Sequence, residues 1–135
     1  MIKAVRPGGW LLLEEVDFFP VHASSNADYS DFMSALVNTM VSASGRDCFW
    51  GRALPVMVAE RSLVDVTGEG GFSLLQGGGE VAEFFVLTAE QMGDRMLESQ
   101  AIDEAKLDRT LALLADPAFW AFGGGEVAVW GRKAA

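Results

Sequence analysis

The sequence holds one cysteine, one histidine, one tyrosine and four prolines in 135 residues. With Cys48 as the only cysteine, an intrachain disulfide is excluded, and with His22 as the only histidine no His/Cys zinc cluster can be assembled. Basic residues are scarce as well: ten against nineteen acidic ones, a formal charge of −9. The lysines and arginines are scattered singly, so no basic patch offsets that charge, and a phosphate backbone or an anionic membrane surface is repelled. Neither nucleic acid nor membrane is an expected partner. Long apolar runs are missing too. Trp10 to Leu13 and Phe84 to Leu87 fall far short of the roughly 20 residues that cross a bilayer. Lys3 and Arg6 are followed at once by Pro7-Gly8-Gly9 and Glu14-Glu15, so no signal-peptide apolar region develops. A cytoplasmic location is expected.

What is present suffices for one core. Half of the residues are hydrophobic, and the chain has the length of a single ordinary domain, 1–135. The turn signal Arg6-Pro7-Gly8-Gly9 leads into a strand over 10–16, whose continuous Trp10-Leu11-Leu12-Leu13 suits a strand covered on both faces in a mostly parallel sheet. Asn26 or Ser30 can cap a helix in which Phe32, Met33, Leu36, Val37, Met40 and Val41 recur with a 3.6-residue period, ending near Gly45. A second helix is predicted over 55–63. Strand segments follow at 63–67 and 72–76, interrupted by a turn or bulge at Gly68-Glu69-Gly70-Gly71. The pattern from 80 to about 99 is helical, with capping-box spacing at Thr88 and Gln91 that allows a break there. Asp103 can cap a helix over 104–115, stopped by Asp116-Pro117, and the last strand is predicted over 126–132.

Several runs bear on function. Carboxylates stand where the first strand emerges, and ligands of open α/β sheets gather outside the carboxyl ends of the strands, so Glu14, Glu15 and Asp17 are candidates for a site mouth. Gly77-Gly78-Gly79 before a helix has the setting of a phosphate-binding turn. The helix opens with Glu80 and Glu83, however, and carries no following lysine, so a plain loop is expected. Gly123-Gly124-Gly125 is expected to be a flexible connection. Tyr29, Phe32, Phe49 and Trp50 fit either the lining of an aromatic acceptor pocket or the core. Phe84, Phe85, Met92 and Met96 can share one helical face, as a buried stripe or a substrate cap. Cys48, beside Phe49 and Trp50, is expected to be a buried structural thiol.

The run RPGGWLLLEEVDF resembles the turn and fifth strand of class I S-adenosylmethionine-dependent methyltransferases. LADPAFW followed by VAVWGRK resembles the closing helix, connection and last strand of bacterial small-molecule members of that family, and GRALPVMVAERSLVDVTGEGG resembles their stretch into strand six. The resemblance spans essentially the whole chain in the family's order. It implies an α/β, partial Rossmann-like fold: strands 5, 7 and 6 of the usual 3-2-1-4-5-7-6 sheet, flanking helices, and a helical insertion over about 80–117 between strands 6 and 7. It implies methyl transfer to a small-molecule acceptor, with His22 as a weak candidate base beside its reading as a surface-loop histidine. The donor loop and the ribose-binding acid of the family have no counterpart here, so the resemblance implies a C-terminal portion that binds no S-adenosylmethionine alone. The strand over 10–16 would then lack a neighbour, and self-association along that edge is expected. The alternative is a non-catalytic, methyltransferase-derived interaction module.

Overall fold

A computed structural model describes residues 2–135, with the side chain of His22 outside the described set. Among the described residues the fold is α/β, with three strands, β1 (Trp10–Asp17), β2 (Leu63–Gln76) and β3 (Trp120–Lys133), and four α-helices, α1 (Ala27–Ser44), α2 (Leu54–Ala59), α3 (Glu80–Glu98) and α4 (Glu104–Ala115). The sheet order is β1-β3-β2. β3 runs antiparallel to both neighbours, with Leu12 opposite Trp130 and Glu69 opposite Ala128. The mostly parallel sheet expected around β1 is thus corrected: both pairings are antiparallel, and the last strand lies between the first two.

The entry to β1 follows from its residues. Gly9 N–H donates to the Arg6 carbonyl at 2.9 Å, Pro7 supplies the first corner, and Gly8 takes the second with φ 73°, the conformation a type II turn demands of its third residue. Asn26 caps α1 by accepting from the Tyr29 amide at 3.0 Å, and Gly45 closes it in the left-handed region at φ 66°. Asp103 caps α4 through the Lys106 amide at 2.8 Å.

Elsewhere the local signals misplace boundaries. The two segments at 63–67 and 72–76 are one strand, since Gly68 to Gly71 stay paired to β3. Beside Gly68 an added Cβ would stand 2.6 Å from the Ala128 carbonyl, so the glycine serves close strand approach rather than a turn. Gly123 to Gly125 likewise lie within β3 and are not a flexible connection; the register slips there between Phe72 and Leu74. A second irregularity puts Asp65 at φ 55°, with its carboxylate held by Arg132 at 2.7 and 2.9 Å. α3 does not break at Thr88. That hydroxyl donates to the Phe84 carbonyl one turn back instead of capping a new helix. The helix predicted over 55–63 ends at Ala59.

Two cores result. The larger joins α1, α3 and α4 to the ends of β2 and β3, with Tyr29, Phe32, Met33, Phe85, Met96 and Leu114 at its centre. The smaller lies between α2 and the sheet, where Leu54 and Val58 meet Leu13, Val127 and Val129. The opposite sheet face, carrying Trp10, Leu12 and Val16, has no helix over it, and Trp10 and Leu12 are 57% and 56% exposed. The expectation that β1 is covered on both faces therefore fails in this chain. Among the described residues no helix is long and apolar enough to cross a membrane.

Candidate functional site

β1 alternates, so its consecutive carboxylates part company. Glu14 points to the open face, while Glu15 and Asp17 point to the face covered by α2 and by the connection between α1 and α2. Glu14 and Glu15 both border a cleft of about 800 Å³ over β1, β3 and β2, together with Arg46, Glu69, Phe72, Ser73 and Glu126. Glu14, Glu69 and Glu126 share the open face through their pairing with β3 and make it anionic, while Glu15 borders the cleft from the other face, 3.8 Å from Arg46. Such a mouth favours a neutral or cationic guest over an anionic one. Among the described residues no group of three or more His, Cys, Asp or Glu side chains converges to hold a metal ion.

Asp17 does not join the cleft. Its carboxylate is buried and accepts from Arg52 Nε at 2.8 Å and Nη2 at 2.7 Å, and from the amides of Phe19 at 3.0 Å and Arg52 at 3.1 Å. With all of its acceptor positions used inside the protein, it is a structural clamp. The Arg52 hydrogen bonds hold its carboxyl below the usual carboxylate range, against the opposing effect of burial. Arg52 in turn lies over the Phe49 ring, 4.8 Å from its centroid.

Tyr29 is placed in the core rather than in a pocket. It is fully buried, donates to the Phe122 carbonyl at 2.8 Å, and meets Phe119 and Phe85 edge-on. Burial pushes its hydroxyl well above the ordinary tyrosine range, which removes it as an acid or base at neutral pH. Phe32 is buried beside it. Trp50 opens the short 3₁₀ helix Trp50–Ala53 and is 36% exposed, but it does not border the anionic cleft. The backbone of His22 lies in the 3₁₀ helix Phe19–Ala23; any role for its side chain falls outside the described residues. Phe85, Met92 and Met96 face the larger core, whereas Phe84 is 57% exposed and leaves the stripe. Cys48 is buried as expected, and burial pushes its thiol up.

The glycine runs are filled by the protein itself. A Cβ on Gly77 would stand 2.0 Å from the Asp116 carbonyl, and one on Gly123 would stand 2.3 Å from the Ser73 hydroxyl. Neither run is an open cradle, so these residues do not fit a nucleotide-like donor. Reading residue types along the sequence overlooked Arg46, Arg52, Glu69 and Glu126. For the two arginines a signal existed: they flank an aromatic connection downstream of a strand ending in acids. Glu69 and Glu126 carried none, because their place depends on β3 entering between β1 and β2. Neither a protein-family profile nor a curated protein matches the chain.

Proposed function

We propose that this chain is the C-terminal portion of a class I S-adenosylmethionine-dependent methyltransferase acting on a small molecule. One observation carries the reading. The strand that ends the chain lies between the two before it, an order that supports taking the three as strands 5, 7 and 6. The Arg-Pro-Gly-Gly turn at the foot of β1 and the helical stretch between β2 and β3 support it. S-adenosylmethionine would supply an electrophilic methyl group on a sulfonium. The residues present offer it no cradle, so no step is assigned to this chain. What the chain contributes is the acceptor side: Glu14, Glu15, Glu69 and Glu126 border a cleft that favours a neutral or cationic acceptor and orients it by charge.

A non-catalytic interaction module is the second reading, favoured by the uncovered face of Trp10, Leu12 and Val16. Titration calorimetry with S-adenosylmethionine tests the first. The chain alone is expected to bind no donor, and joining it to an upstream segment that carries an acidic residue and a Gly-x-Gly loop should restore binding. Micromolar binding by the chain alone would overturn the assignment of the donor site to another segment. Failure of the extended chain to bind would favour the module.

A further inference from the structure

We propose that β1 is the seam of a two-fold symmetric dimer in which Leu12 of one copy lies opposite Leu12 of the other. The dimer follows from the geometry of β1 in this chain, and it competes for that edge with the upstream strand that the methyltransferase reading calls for.

β1 is an edge strand: among the described residues β3 is the one strand paired with it. Its outer edge is not uniformly free. At the C-terminal end the short helix carrying Gly51 sits against it, close enough that a Cβ on Gly51 would stand 3.0 Å from the Val16 carbonyl and 3.2 Å from that of Glu15. At the N-terminal end the strand is closed by the Arg6–Gly9 turn, whose Gly9 N–H is spent on the Arg6 carbonyl. The accessible stretch is therefore Trp10 to Glu14, and Leu12 is its centre. An unpaired edge of this kind is a template for another strand.

The charge pattern selects the same register. A two-fold axis through Glu14 or Glu15 would set like charges opposite each other, which is destabilising. An axis through Leu13 would set Leu11 opposite Glu15 and run pairing into the Gly51 helix. With the axis at Leu12, Leu11 meets the partner's Leu13 on one face, Trp10 meets the partner's Glu14 on the other, and no carboxylate faces a carboxylate. A second copy is the occupant that this self-complementary pattern fits.

Light scattering coupled to gel filtration, with cysteine cross-linking, provides the test. The wild-type chain should elute as a monodisperse species of two copies. Leu12→Lys, which sets two ammonium groups together on the axis at a position already 56% exposed, should halve the mass and leave the circular dichroism spectrum unchanged. Opposed residues of an antiparallel pair have Cα atoms ~4.5–5.5 Å apart, within the reach of a disulfide. Leu12→Cys should accordingly form a covalent dimer with oxidised glutathione. Glu14→Cys should not, since its symmetry mate lies about four residues further along. The native Cys48 is buried and does not compete. A monomeric wild type would assign the edge to a different chain and overturn the dimer. Cross-linking through Glu14→Cys alone would overturn the register, and a Leu12→Lys variant that stays dimeric would overturn the seam.

Discussion

Asp17 and Arg52 share two hydrogen bonds, at 2.7 and 2.8 Å, while the carboxylate also accepts from the Arg52 and Phe19 amides. The last side chain of β1 thereby fixes the connection between α1 and α2. Asp17 is almost wholly buried while the Arg52 side chain is 57% exposed, so removal of Asp17 strands two amide donors rather than a buried charge. Asp17→Ala is expected to cost about 2 kcal/mol of unfolding free energy, the range for donors left without an acceptor. Arg52→Ala should cost less, because the carboxylate keeps its two amide donors. Urea unfolding of the two variants gives the order; equal costs would mean that the amide contacts contribute nothing.

The same clamp sets an acid limit. The Arg52 hydrogen bonds lower the folded-state pKa of Asp17. Its contribution is then complete above the ordinary aspartate range near ~4 and is lost as the pH falls through the lower folded value. Asp28, lowered by hydrogen bonding to Arg109, adds an acid dependence of the same sign, so wild type alone does not isolate Asp17. The difference between wild type and Asp17→Asn does. That gap in urea midpoint should be widest at neutral pH and close toward acid pH, and a gap that stays constant would deny that the charge matters.

Tyr29 gives the opposite limit, and it is the only tyrosine. Burial raises its pKa, so its contribution is full below the unfolded value near ~10 and declines as the pH rises above it. Phenolate absorbance should appear only with the loss of native circular dichroism. Ionisation within an intact fold would contradict the burial. Tyr29→Phe keeps the ring contacts with Phe119 and Phe85 but loses the bond to the Phe122 carbonyl, a cost of about 1–2 kcal/mol.

The starts and stops of α1 and α4 were legible because the groups responsible lie within four residues: Asn26 and Gly45 around α1, Asp103 and Pro117 around α4. The glycine runs 68–71 and 123–125, which lie inside strands, were not, because what they meet is distant in sequence, whereas 77–79 is the plain loop that was expected. Glycine at 68 answers Ala128, and glycine at 123 answers Ser73. Local reading sees flexibility where the fold needs an absent side chain. Site residues divide in the same way. Glu14 and Glu15 were found as strand-end acids, but Asp17 looks identical along the chain and is diverted by Arg52, 35 residues away.

That distinction has a measurable form. Gly71 has nothing within 4 Å of an added Cβ, whereas Gly77 would place one 2.0 Å from the Asp116 carbonyl. Gly71→Ala should leave stability within about 0.5 kcal/mol of wild type. Gly77→Ala should cost about 3 kcal/mol or more, at or above the usual range for overpacking, because the obstacle is backbone and cannot rotate away. Comparable thermal midpoints for the two variants would show that the α4 end yields freely and that 77–79 is the loose loop its composition suggests.

Cys48 reports on the clamp without a probe having to be introduced. The Phe18 amide donates to the Cys48 carbonyl at 3.0 Å, and Arg52 holds the same connection to Asp17 four residues later, so contacts at the end of β1 fasten the segment whose thiol is buried in the larger core. A buried thiol with a raised pKa is a poor nucleophile, and it must be uncovered before it reacts. Native protein should therefore react slowly with a chromogenic disulfide reagent, at a rate set by opening of this segment. Asp17→Ala loosens the segment directly and should raise that rate more than an equally destabilising change in the larger core, such as Leu114→Ala, which acts on the distant α4. If the two variants, matched for global stability, react at the same rate, the connection opens only with the whole protein. If Asp17→Ala reacts faster, it opens as a unit of its own, and the Glu15–Arg46 side of the anionic cleft opens with it.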